Sequence, residues 1–215
     1  MITPHQRGRS LDAVGDLDGH ALVVTAHDLA DSLLGGSGRR WQHTEGVARR
    51  AESVAVAVPE DDRPALVAAA WLHDIGYAES LKRCSFHPLD GAFYLQETAW
   101  GAQLAGLVAH HSGARFVADV RGLGTLMQQF DADTYAIGTL ADALTYADQT
   151  IGPDGRLMDV EARFADMLSR HGPDSALAQA HARRAPAIRA AADRTERRLL
   201  AAAADPALIP GRNPG

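Results

Sequence analysis

The chain has 215 residues, 46% of them hydrophobic and only 6% aromatic, with a formal net charge of −6 at pH 7. That apolar content suffices for one domain with a sizeable core, and alanine in place of aromatics favours close-packed helices over a sheet sandwich. A mildly acidic chain lacks the broad positive field that unspecific nucleic-acid or membrane-surface binding needs, so neither partner is expected.

Residues 1–19 mix Gly, Asp, Arg and Pro without periodicity and read as a flexible lead-in. They hold acidic residues and no apolar run, unlike a signal peptide. From His20 to Leu34 the apolar residues Leu22, Val23, Ala26, Leu29, Ala30 and Leu33 recur at helical spacing, and Gly35-Gly36-Ser37-Gly38 ends the helix. A second helix is predicted over 39–58. After the break at 59–62, Pro64 suits the first turn of a third, which runs to about His73. Residues 75–87 read as an irregular loop, Pro88 opens a fourth helix through about Trp100, and a fifth follows Gly101 to His110 or His111. Residues 112–133 are the least patterned, with one short helix expected around 123–130. Thr134 to Ala147 is helical again, Gly152-Pro153-Asp154-Gly155 is a turn, and 159–170 and 174–203 are amphipathic helices before a loose tail from 205. No segment alternates as a strand does, and none approaches the roughly 20 uncharged apolar residues of a membrane span. The expectation is an all-α, single-domain helical bundle over 20–204. One cysteine, Cys84, excludes an internal disulfide and a thiolate zinc cage, and a reducing cytoplasm is the expected compartment.

Ten histidines stand out. His43 lies on the second helix, His73 and Asp74 end the third, His87 precedes the fourth, and His110 and His111 end the fifth. Asp142 and Asp148 lie near the end of the helix before the Gly-Pro-Asp-Gly turn. Taken singly, each has an ordinary explanation: a surface or satisfied core histidine, a helix C-cap, a loop residue. His5, His20, His27, His171 and His181 fit no pattern. The others all sit at helix ends, and in a bundle helix ends converge on shared pockets where di-metal sites are built.

The ordered set His43, His73-Asp74, His87, His110-His111 and Asp148, carried by "WLHDIGY", "FHPLDGAFYL" and "LVAHHSGA", resembles the HD-domain superfamily of metal-dependent phosphohydrolases. The likeness is to members with the fuller set that hold two metals, and it spans roughly residues 20–170. By that resemblance His43, His73, Asp74 and Asp148 hold a first metal. Asp74 bridges to a second held by His87 with His110 and His111, and acts with a metal-activated water. Imidazole and carboxylate donors suit one or two divalent ions, Fe, Mn, Co, Zn or Mg. Asp148 in "TYADQ" is preferred to Asp142, which is expected to cap, pair or support. His110 and His111 point about 100° apart on a regular helix, so both ligate one metal only if Ser112-Gly113 distorts it.

The implied activity is hydrolysis of a phosphate ester or anhydride of a nucleotide or other small phosphorylated metabolite. The same ligand set also serves mixed-valent di-iron oxygenases of this superfamily, and a nucleotide-binding regulator without turnover is a third reading. Lys82, Arg83, Arg115 and Arg156 stand in loops near the ligands and are equally well read as solvated charge or phosphate contacts. Neither substrate nor oligomeric state follows from the sequence, and a homo-oligomer stays open.

Overall fold

The computed structural model of the chain describes residues 17–98, 100–131 and 133–204; the lead-in as far as residue 16, with His5, and the tail from 205 lie outside the described residues. The fold is all-α, and among the described residues the extended pairing is one isolated antiparallel bridge, Ile151 with Leu157.

Asp18 opens α1 (Gly19–Leu34) by accepting from the Ala21 amide at 2.9 Å, which satisfies one donor of the first turn. α2 (Arg39–Val54) starts after Gly38, whose φ of +55° is left-handed, and runs on through a 3₁₀ turn, Ala55–Ala57, in place of the last helical turn expected from sequence. The central element is α3 (Arg63–Leu72), with Pro64 in its first turn. Ala65 to Ala70 and Leu72 are all buried, and their small side chains let α1, α2, α5 and α9 close around the helix. A helix apolar on every face is an interior helix, and here it delivers His73 and Asp74 into the middle of the molecule.

α4 (His87–Glu97) and α5 (Ala102–His110) pack on each other, α5 also against α3, and α4 stops before Trp100. The segment read as nearly patternless holds α6 (Ala114–Val120), α7 (Gly124–Met127) and a 3₁₀ turn, Gln128–Phe130. At seven residues, with Ala114, Val117 and Ala118 buried, α6 is too short to show a period. The helix expected from Thr134 is divided into α8 (Asp133–Ala136) and α9 (Thr139–Gln149). α10 (Val160–His171) and the 29-residue α11 (Ala176–Ala204) close the structure, with α11 laid against α9, α6 and α10. Among the described residues no helix is long and apolar enough to cross a membrane.

Candidate metal centre

Arg40 and His43 stand three residues apart on α2 and therefore share a face. His73 caps α3, and Asp74 leads into a 3₁₀ turn, Ile75–Tyr77. Gly76 is what lets α4 dock there: a Cβ on it would run into the His87 carbonyl oxygen and crowd the Gly91 amide. This close approach carries His87, the first residue of α4, up to Asp74. On the opposite side, Gly46 accepts the backbone of Gly155 where a Cβ would meet it at 2.7 Å, and this seats the Gly152–Gly155 turn over His43.

The imidazoles are oriented from behind. The Nδ1–H of His73 donates to the Ala70 carbonyl at 2.7 Å, that of His111 to Val108 at 2.7 Å, and that of His43 to Gly152 at 3.0 Å. A proton fixed on Nδ1 leaves Nε2 as a bare lone pair directed forward, the arrangement that metal-ligating histidines take. His73 Nε2 lies 3.3 Å from Asp74 Oδ2, and His87 Nε2 lies 3.3 Å from Asp74 Oδ1 and 3.4 Å from His111 Nε2. His43 Nε2 is 3.0 Å from Asp148 Oδ1 and 3.9 Å from Asp74 Oδ2. Two sets thus have their donor atoms within 4.8 Å of one another: His43, His73 and Asp74, and Asp74, His87 and His111. Asp74 belongs to both.

These residues fit divalent metal. His73 Nε2 is fully buried without a hydrogen-bond partner, an expensive condition unless a cation takes its lone pair. Burial pushes the Asp74 and Asp148 carboxyls up, yet their neighbours more than offset it. Arg40 first, with the His73 and His87 imidazoles, holds Asp74 well below its ordinary value, and the contact with His43, with His73 and Arg163 beyond it, does the same for Asp148. Burial drives His87 and His111 down, towards the neutral form that ligates. His73 goes the other way, since burial lowers it but the adjacent Asp74 outweighs that.

A match to the family model of the HD domain runs over residues 40–205. The chain belongs to the HD domain family. No curated protein and no solved structure matches it. HD domains bind divalent metals and are mostly metal-dependent phosphohydrolases, and this HD domain carries His/Asp clusters able to hold such ions.

The HD domain brings together His43, His73, Asp74, His87, His111 and Asp148, but not His110. The helix does break as the sequence allowed: Ser112 and Gly113 are left-handed, with φ of +51° and +68°. The break turns His111 into the cluster and leaves His110 facing a second cavity, its Nε2 3.6 Å from Asp131 Oδ1. Asp142 stands apart as well, buried and gripped by Arg194 (2.8 and 2.5 Å) and Arg198 (2.8 Å), which ties α11 to α9. Of the four loop cations, Lys82 lines the metal cavity; Arg83 pairs with Glu97 at the surface, Arg115 lines the second cavity, and Arg156 is exposed beside Asp154. Asp90 folds the loop before α4 by accepting from the amides of Arg83 (3.1 Å), Cys84 (2.8 Å) and Phe86 (2.9 Å).

Several residues of the site gave little signal in sequence. Arg40 donates to Asp74 and lies 3.9 Å over the Tyr77 ring, which in turn stacks on His87 at 4.0 Å. Its spacing of three from His43 was the readable cue. Ser112 donates its hydroxyl to Asp148 Oδ2, and Gln149 donates to the same oxygen at 2.9 Å, leaving Oδ1 towards His43. Arg163 and Arg184 come from α10 and α11, where only tertiary folding brings them near Asp148.

Proposed function

We propose that this HD domain is a phosphohydrolase that uses two divalent metals, with His43, His73, Asp74 and Asp148 on one and Asp74, His87 and His111 on the other. Its substrate is a phosphate ester or anhydride of a nucleotide or other small phosphorylated metabolite. One observation carries the reading: Asp74 is common to both ligand sets, at the floor of a cavity of about 540 Å³ lined by Arg40, Lys82, Arg121, Arg163, Arg170 and Arg184. A cavity of that size takes a small molecule, and so many cations call for an anion.

Divalent ions at such a site supply Lewis acidity, which lowers the pKa of a water and withdraws charge from a phosphoryl group. The protein's own residues supply the rest. Asp74 stays ionised and divides its two oxygens between the imidazole sets. Arg40, which already pairs with Asp74, presents its guanidinium to the phosphoryl oxygens there, and Lys82, paired with Glu79 at 2.6 Å, adds positive charge to the cavity lining. Tyr77 keeps its proton, since burial first and then Asp74 push the phenol up to about 12, so it acts as a hydrogen-bond donor and as the wall behind His87. Phe86, Pro88 and Leu177 line the same cavity with apolar surface that limits water.

The test is elemental analysis of the purified protein joined to phosphate release from a panel of phosphomonoesters, nucleotides and dinucleoside polyphosphates, with Mn and under argon. Phosphate release without oxygen that disappears in Asp74→Asn supports the reading. In a parallel run in air with Fe, consumption of O₂ with no phosphate release would replace it with di-iron oxygenase chemistry, and tight binding without turnover in either run would replace it with a regulator.

A further inference from the structure

The arginines of α11 divide by burial. Four of the more accessible ones have carboxylates: Arg183 with Asp119 (2.7 Å), Arg189 with Glu161 (2.5 Å), and the half-buried Arg194 and Arg198 with Asp142. Arg184, only 6% exposed, has none among the described residues. Its one hydrogen bond there is from Nε to the Ser112 carbonyl oxygen at 2.7 Å, and its side chain lines the metal cavity. Arg163 of α10 faces the same cavity with its side chain 12% exposed. Its nearest carboxylates are at 3.4 Å (Asp166) and 4.0 Å (Asp148), and its buried Nε has no partner. The two cations repel: burial pushes the Arg184 guanidinium down to about 10, Asp148 opposes that, and Arg163 adds to it.

Arg184 has no carboxylate among the described residues, and Arg163 shares both of its own, Asp166 with Arg170 (2.6 Å) and Asp148 with His43 (3.0 Å), so the pair carries positive charge in excess. Buried charge in excess is costly, and a fold keeps it when something it binds compensates it. Arg184 does hold the left-handed Ser112 turn through its Nε, but one hydrogen bond to a carbonyl does not need a guanidinium charge. Nor is the pair placed for the reacting phosphoryl group, because Arg40, Tyr77 and His87 gather at the Asp74 end, whereas Arg163 and Arg184 enter from α10 and α11 at the Asp148 end.

We propose that Arg163 and Arg184 form a second anion subsite, so that the substrate carries a further phosphate or carboxylate beside the phosphate that reacts. The substrate clause rests on the phosphohydrolase reading, while the anion subsite itself is a statement about binding and can be measured without turnover.

The experiment is isothermal titration of the Mn-loaded full chain with methylphosphonate, with α,ω-alkane bisphosphonates of increasing chain length, and with the matching phosphonocarboxylates, none of which is hydrolysed. In the unaltered protein at least one doubly anionic ligand is expected to bind about tenfold or more tighter than methylphosphonate, as a charge-assisted, bidentate arginine contact provides. Whether the bisphosphonate or the phosphonocarboxylate gains more identifies the second group. In Arg163→Gln and in Arg184→Gln the ratio of doubly anionic to methylphosphonate affinity is expected to fall towards one, each variant being compared at equal bound metal. If Arg184→Gln also loses metal through the Ser112 turn, Arg163→Gln decides, because it leaves that turn intact. The subsite is overturned if no doubly anionic ligand gains over methylphosphonate, or if the gain survives in Arg163→Gln. A protein that shows the gain but never releases phosphate keeps the subsite and loses the phosphohydrolase reading.

Discussion

Arg40 and Asp74 form an ion pair in which the carboxylate is almost wholly buried, 3% exposed, while the guanidinium still reaches solvent at 32%. The pair joins α2 to the end of α3 and keeps the shared carboxylate ionised when no other cation stands next to it. Removing Arg40 strands that charge. Arg40→Gln is expected to destabilise chelator-treated protein by about 2 kcal/mol, less than for a fully enclosed pair because of solvent screening, or about 4–8 °C in melting temperature. Added Mn should recover most of the loss by neutralising Asp74. An equal drop with and without Mn would show that Arg40 stabilises the fold by packing alone.

His110 and His111 separate cleanly by function in this geometry. His111→Ala should lower bound metal in elemental analysis, whereas His110→Ala should leave it unchanged. His110 is buried with neither ring nitrogen hydrogen-bonded among the described residues, and burial holds its pKa down. Replacing it with leucine removes an unsatisfied polar group and should alter stability by less than about 1 kcal/mol in either direction. Metal loss in His110→Leu would mean that the helix break points the other way.

Asp142 and Asp148 lie on the same helix but do different work. Asp148→Ala should lose metal. Asp142→Ala should keep it and unfold more easily, by about 1–3 kcal/mol, since Arg194 and Arg198 lose the acceptor that fastens α11 to α9. Chemical denaturation followed by circular dichroism, with metal analysis of the same samples, separates the two effects.

How much of this could be read in the chain follows from the range over which each feature acts. α1 and α3 were legible because capping, proline placement and apolar period are local. The candidate ligands could be picked out because His43, His73-Asp74, His87 and His111 lie at or near helix ends, and only their order along the chain had to match the resemblance. Asp148 lies against His43 and Asp142 against Arg194 and Arg198. Both adjacent histidines were expected in the cluster, and the left-handed Ser112 that turns one of them out is a tertiary outcome, held by the buried Arg184 and Thr145. For the same reason Arg163 and Arg184 gave no signal: their role depends on where α10 and α11 land.

The lone cysteine is chemically quiet. Cys84 Sγ donates to Asp90 Oδ1 at 3.2 Å, and burial together with that carboxylate pushes the thiol up to about 11. A thiol raised in the folded state stabilises the fold below its unfolded pKa, and this contribution is lost as pH rises through the folded value. Iodoacetamide at pH 8 should therefore label the native protein at least about tenfold more slowly than the urea-unfolded chain, because the thiolate is the nucleophile. The native rate should climb between pH 9 and about 11. Equal labelling of both forms at pH 8 would show that Asp90 does not hold the thiol proton.

Gly76 offers the sharpest test of how the fold places its candidate metal ligands. Its role is close approach, not an unusual backbone angle: the turn after Asp74 packs its Cα against the first turn of α4, where the His87 carbonyl oxygen and the Gly91 amide leave no room for a methyl group. Alanine there cannot be absorbed by a flexible side chain, because both obstacles are backbone. Gly76→Ala should cost about 1–3 kcal/mol and move α4 away from α3. His87 would then leave Asp74, since it is the residue that α4 presents at the contact. The set of Asp74, His87 and His111 should weaken, while His43, His73 and Asp148, which rest on α2, α3 and α9, stay in place. Metal titration of the variant should therefore show one class of site lost and one retained. Loss of both classes in a protein that keeps its helical circular dichroism would mean that the two ligand sets do not separate at Asp74.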